Sequence, residues 1–230
     1  MKKVGIIQSS YIPWKGYFDI IHDVDLFVYL DDVQYTARDW RNRNRIKTSQ
    51  GSRWLTVPVG EKISRLIHEV SIYDKFWQKK HWASIKQNYS KAPYFKKYQD
   101  FFEFVYMGSQ WTNLSEMNQF VTTKISQDFL GINTEFQDSR VYDAHGEKLE
   151  RLLDLLVKMK ADYYVSGPSA RDYIVDDKIA DIGVELHYKD YSGYPEYPQP
   201  YPPFEHAVTI LDLLFNCGPD APYFIWGWRE

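Results

Sequence analysis

Apolar runs and polar stops alternate along this chain and predict strands and helices in turn. Residues 4–8, Val-Gly-Ile-Ile-Gln, form a short apolar run that stops at polar residues and reads as a buried strand. The loop Ser9-Ser10-Tyr11-Ile12-Pro13-Trp14-Lys15-Gly16 follows, then a short helix over 17–24. A second β-prone run, Leu26-Phe27-Val28-Tyr29-Leu30, ends at Asp31-Asp32. Strand, loop, helix and strand make a βαβ unit, whose two strands pair in parallel. Further strands are predicted over 53–59 and 69–73. From 75 to 106 the pattern is helical, interrupted near Pro93. Asn113-Leu114-Ser115-Glu116 resembles a capping box ahead of Leu114, Met117, Val121 and Ile125 at helical spacing, and Gly131 stops that helix. Strands over 134–137, 163–165 and 184–188 then alternate with helices over 147–160 and 170–182. Residues 191–204 hold five of the eleven prolines, so this stretch runs extended rather than regular. An apolar helix over 207–215 and an aromatic tail over 222–228 that docks on the body complete the pattern. The expected architecture is α/β, one domain over 1–230. Its sheet is mostly parallel, of a Rossmann-like or nucleotidylyltransferase-like kind, with a helical insertion at roughly 75–131.

Length and composition narrow the function classes. A chain of 230 residues buries roughly 70% of its unfolded surface and folds without a staple. The net charge of −3 argues against a general nucleic-acid binder, so nucleic acid is not the expected partner. One cysteine, Cys217, excludes a disulfide framework or a cysteine zinc site within one chain, and its apolar neighbours suit a small buried residue. No run approaches the apolar length of a membrane span, and the first residues do not read as a signal peptide. A cytoplasmic protein is the expectation. Aromatic residues make up 17% of the chain, and Tyr and Trp suit grooves that hold sugars or bases.

In an open parallel sheet, ligands bind beyond the carboxyl ends of the strands. Three polar clusters fall there: Gln8 to Gly16, then Asp31, Asp32, Gln34 and Tyr35, then Ser166 to Ser169. Lys15 beside a helix start suggests a phosphate site, although the glycine spacing is not that of a Walker loop. This loop is similar to the one after the first strand of nucleotidylyltransferase-like folds, which bind ATP. Their histidine pair is missing, and His22 is the nearby imidazole. Asp31 and Asp32 offer a metal ligand or proton acceptor, or plain turn bonding. Arg38-Asp39-Trp40-Arg41-Asn42-Arg43-Asn44-Arg45 packs four arginines into eight residues around an indole. Arg forks bind phosphate and Trp40 stacks on a base or sugar, so a nucleotide diphosphate accounts for both, as single-stranded RNA also does. The plain alternative is a solvated charged loop. The histidines show no metal-ligand spacing, and no metal site is expected.

The run Gln8 to Phe18 resembles the opening of the WbqC-like protein family. So do Leu30-Asp31-Asp32-Val33-Gln34-Tyr35, Trp40 to Lys47, Tyr164-Val165-Ser166-Gly167 and Leu211 to Gly218. Ser9 stands where the family more often has proline. The resemblance implies a place in bacterial surface-polysaccharide (O-antigen) biosynthesis, and a proposed transfer of glycine or a similar acyl group to a sugar. No catalytic residue carries over from it. The expected activity is an acyl- or aminoacyltransferase that forms an amide on a nucleotide-linked amino sugar, with ATP or an acyl thioester behind the donor. Such chemistry needs a base, for which Asp32 or His22 is the candidate. It also needs oxyanion or substrate donors: Tyr11, Gln34, and the Ser166-Gly167 backbone. Gln8, Lys15, Asp31 and Trp40 complete the binding set, and Arg41, Arg43 and Arg45 hold the diphosphate. The alternatives are a metal-dependent glycosyltransferase and a non-catalytic protein that binds RNA or an assembly complex.

Overall fold

The computed structural model describes residues 1–74, 76–172 and 174–229. Among them the expected βαβ unit forms as β1 (Lys3–Ile7), α1 (Lys15–His22) and β2 (Leu26–Tyr29). β1 and β2 pair in parallel from Val4 opposite Leu26 to Ile7 opposite Tyr29. β5 (Glu135–Asp138), β6 (Tyr163–Ser166) and β7 (Glu185–Tyr188) complete a five-stranded sheet in the order β5-β2-β1-β6-β7, and every pairing is parallel. In chain order these strands run third, second, first, fourth, fifth. The order therefore reverses between β1 and β6, which is the topological switch point of a Rossmann-type sheet.

Strand alternation sorts the core into two layers. Val4, Ile6, Leu26, Val28 and Tyr164 face one side, where Leu152, Leu155, Leu156 and Met159 cover them. Three of those four belong to helix α5 (Lys148–Lys158), and Met159 caps it. Phe27 and Tyr29 face the other side, against α1 and the helices between β2 and β5. Burying each such side chain contributes about 1.5–3 kcal/mol relative to exposure.

The insertion is helical as expected, with Pro93 between α2 (Trp77–Tyr89) and α3 (Phe95–Glu103); Lys75 lies outside the described residues. Asn113 caps α4 (Leu114–Lys124) by accepting from the Glu116 N–H at 3.0 Å. Gly131, at φ +67°, supplies the left-handed turn after it.

Several expectations change. The strand expected over 53–59 is β4 (Gly51–Thr56), and it pairs antiparallel with β3 (Arg43–Thr48) in a separate hairpin. The arginine run is thus half strand and not a loop. Residues 69–73 carry a single bridge, Ser71 to Asn113, after a 3-10 turn over Ile67–Glu69. The helix expected over 170–182 breaks into a 3-10 turn (Pro168–Asp172) and a short α6 (Asp176–Asp181), with Tyr173 outside the described residues.

The proline-rich stretch is irregular, as its composition requires, and is tied down by tyrosine hydroxyls. Tyr194 donates to buried Asp19 of α1. Tyr197 donates to Asp212 at 2.8 Å, on helix α7 (Ile210–Cys217). The tail docks: Trp226 stacks on His22 at 4.0 Å, and Arg229 pairs with Asp19 at 2.8 Å. No described helix is long and apolar enough to cross a membrane.

Candidate functional site

A cavity of about 1110 Å³ opens beyond the carboxyl ends of β1, β2 and β6, across the switch point. All three polar clusters read from the sequence send residues to it, while Tyr35 of the second is buried outside it. Gln8 and Ser10 come from the loop after β1, Asp32 and Gln34 from the segment after β2, and Ser166, Gly167 and Ser169 from the turn after β6. Trp40 and Arg41 enter from the approach to the hairpin, and Asn44 from β3 itself. Ile6, Ile7, Leu30, Leu152 and Tyr164 give it an apolar floor, and Trp14, Tyr17 and Tyr191 give it aromatic walls.

The polar groups are held firmly. Arg41 donates to the Gln8 side-chain oxygen, and its own carbonyl accepts from Asn118 at 2.8 Å. Asp39 lies 4.0 Å from the Arg41 guanidinium. Partial burial pushes the Asp39 carboxyl up, but Arg41, the Thr36 hydroxyl and the Trp40 N–H outweigh it and hold the group below the usual carboxylate range. Asp32 accepts from the Ser139 hydroxyl at 2.6 Å and pairs with Arg151. Arg151 lies on α5, 119 positions further along the chain, and sequence spacing gives no signal for that pair. Glu147, Lys148 and Arg151 add charge to this wall, and none of them was expected there.

The loop after β1 is shaped by two local contacts. Asn44 donates to the carbonyls of Tyr11 and Ile12, at 3.2 and 2.8 Å, which fixes Ile12 at φ +39°. Gly16 lets the Trp14 indole fold back over the first turn of α1. A Cβ at residue 16 would stand 2.3 Å from that ring.

Of the expected site residues, Gln8, Asp32, Gln34, Trp40, Arg41, Ser166 and Gly167 line the cavity. Six lie elsewhere. His22 ends α1, about 12 Å of helix away from the end that faces the cavity, and stacks on Trp226. It is in no position to act as base there. Tyr11 is buried, with its hydroxyl 2.8 Å from His81 Nδ1 and 2.6 Å from the Tyr106 hydroxyl, so it is no oxyanion donor. Burial, with Tyr106 adding to it, raises the Tyr11 hydroxyl well above its ordinary value, and burial pulls the His81 imidazole down to about 4. Asp31 is fully buried and accepts from the Ser9 N–H at 2.8 Å, from Gln119 at 3.0 Å and from Ser115. It joins the loop after β1 to α4. Lys15 sits under the proline-rich stretch, 3.3 Å from the Pro195 carbonyl and 4.7 Å above the Tyr194 ring. Burial lowers its ammonium to about 8. Arg43 and Arg45 stand on the outer face of the hairpin over Trp54. Cys217 is buried, which pushes its thiol up to about 12, the state of an inert core residue.

Comparison with known proteins follows the same outline. An uncharacterized protein of Mycobacterium tuberculosis, Rv1507c, is 47% identical over 227 residues, covering 98% of each chain. No solved structure matches. The WbqC-like protein family matches residues 8–223, which take in every strand after β1 and all three cavity loops. The chain belongs to the WbqC-like protein family.

Proposed function

We propose that the cavity binds a nucleotide-linked amino sugar, and that the protein transfers an acyl or aminoacyl group, glycine in the simplest case, to its amine during assembly of bacterial surface polysaccharide. The observation that carries this reading is the convergence of three strand-end loops on one cavity at the switch point. Its volume of about 1110 Å³ exceeds the roughly 300–1,000 Å³ of a pocket for one small ligand, which suits a sugar and an acyl donor together.

In this reading the amine attacks the donor carbonyl, and the thiolate or adenylate leaves. Asp32 takes the amine proton. Its two oxygens are oriented by Ser139 and Arg151, and each keeps a lone pair for a further partner. Arg41, braced by Gln8, meets the sugar end of the ligand in the cavity. Ser166 and Gly167 present a hydroxyl and backbone to the reacting carbonyl.

A thermal-shift panel tests this, with sugar nucleotides with and without a free amine, ATP, coenzyme A thioesters, glycine and a short RNA. A ligand at about 100 times its Kd stabilises by about 2.7 kcal/mol. The expected result is a shift with an amino-sugar nucleotide and a second shift with one donor class. Asp32→Asn then keeps the sugar-nucleotide shift and loses amide formation by about 100-fold or more, as removal of a general base does. A shift with RNA alone, or with no ligand of the panel, overturns the reading.

A further inference from the structure

The arginine run divides at the hairpin. Arg41 points into the cavity, while Arg43 and Arg45 alternate along β3 and share its outer face; Asn44 and Ile46 between and beyond them are buried. Across the hairpin, Arg45 pairs in register with Trp54, and Arg43 sits diagonal to it. Their guanidinium carbons lie 4.3 Å (Arg43) and 5.5 Å (Arg45) from the Trp54 ring. Trp40 joins the group, 5.5 Å from Trp54. Trp40 is also a wall of the cavity, so the outer face and the cavity are one continuous surface. Trp40 and Trp54 are 43% and 41% exposed, although each is large enough to bury if only packing were at stake.

The two guanidiniums lack a direct ion-pair partner, although Asp39 feels the Arg43 charge at longer range. Among the described residues, no carboxylate lies within ion-pair distance of Arg43 or Arg45, and the Nε–H of each is buried without a hydrogen-bond partner. The acids nearby are engaged elsewhere: Glu61 pairs with Arg38, and Asp39 takes the Thr36 hydroxyl and the Trp40 N–H. Two neighbouring guanidiniums held in place by a ring, with no carboxylate in direct contact, are arranged to receive an anion. A planar guanidinium matches a phosphate with two parallel bonds, and an exposed indole beside it offers a face to a base.

We propose that this outer face holds the nucleoside-diphosphate half of the ligand, with Arg43 and Arg45 on the phosphates, Trp40 stacked on the base and Trp54 positioning the two guanidiniums. The sugar then passes Trp40 into the cavity, toward Arg41 and Asp32. This rests on the reading of the ligand as a nucleotide-linked sugar, and it divides the arginines between two places instead of gathering them around one diphosphate. A single-stranded nucleic acid would meet the same residues. The net charge of −3 and the continuity of the face with the cavity favour the small nucleotide.

Calorimetric titration of the full chain with UDP, dTDP, GDP, CDP and inorganic pyrophosphate tests the assignment. The double variant Arg43→Gln/Arg45→Gln is expected to weaken the best nucleoside diphosphate and pyrophosphate alike, by about a hundredfold. Trp40→Ala is expected to weaken the nucleoside diphosphate by about tenfold or more and leave pyrophosphate unchanged. Should the glutamine variant not fold, Arg43→Lys/Arg45→Lys keeps the charge without the planar fork and is still expected to lose affinity. Nucleoside diphosphates that bind these variants as they bind the wild type overturn the inference and leave the transferase reading standing. Hairpin-dependent binding with no amide formation from any donor supports the inference and overturns the transferase reading. No nucleoside diphosphate bound by the wild type overturns both. An RNA oligonucleotide that binds more tightly than any mononucleotide, with affinity falling steeply with salt, overturns it in favour of nucleic acid.

Discussion

Lys15 shows how far one side chain can depart from its expected role. The residue stands at the start of α1, where an ammonium would help hold a phosphate, yet it is 3% exposed and roofed by Tyr194 and Tyr197. Burial lowers its ammonium to about 8, against the pull of Cys217 and Asp19 in the other direction. The unfolded chain then holds this proton more tightly than the folded one. Between about 8 and 10.5, stability contributed by this site rises with pH, because the cost of burying the charge disappears as the proton leaves. Lys15→Met removes the titration. Urea unfolding of both proteins across that window should show the wild type gaining on the variant as pH rises, and a constant difference would refute the assignment. The sequence shows a lysine before a helix. It does not show that a stretch 180 positions later covers it, because that contact is made by tertiary packing alone.

At the scale of elements, the hairpin and the loop after β1 behave as one unit. Asn44 bonds the Tyr11 and Ile12 carbonyls, and the Tyr11 N–H donates to the Trp40 carbonyl at 2.9 Å. Ile12 is β-branched and sits in the left-handed region, a conformation that costs on the order of 1–3 kcal/mol and persists where its surroundings enforce it. Asn44→Ala leaves two buried carbonyls short of a partner. It is expected to destabilise by about 2–3 kcal/mol and to weaken ligand binding at Gln8 and Trp14, as read by melting and by titration together. The hairpin was hard to read from sequence for a related reason. The inward positions of β3 include a polar residue, Asn44, so the alternation in Arg-Asn-Arg-Ile-Lys-Thr does not look amphipathic. β1, β2 and β6 were legible because their runs are apolar and stop at polar residues, and the stops are the cavity.

At the scale of the whole molecule, Asp19 gathers three distant parts of the chain. It lies fully buried in α1 and meets Lys189 at 2.7 Å, Arg229 at 2.8 Å and the Tyr194 hydroxyl. Asp19→Ala removes all three contacts, with Lys189 keeping its pairing to Asp23, and should cost about 3–5 kcal/mol. Arg229→Ala should cost less, since 30% of that side chain faces water. Equal losses in urea unfolding would show that the tail, and not the buried charge, is what matters. The same scale decides what could be foreseen of the site. The cavity follows from strand order, which places the ends of β1, β2 and β6 together whatever the loops contain. The pairing of Asp32 with Arg151 and the removal of His22 to the far end of α1 depend on helix length and on which face of α5 turns inward, and short motifs carry neither.

The strand order also has a temporal side. β1 leaves the ribosome well before β6, its neighbour on one side, which begins at Tyr163, about 150 residues later. At about 5–20 residues per second, the wait is roughly 8 to 30 seconds. Through that interval the strand destined for the centre of the sheet is an open edge with Val4 and Ile6 uncovered, and it is this nascent edge that a holding chaperone would have to shield.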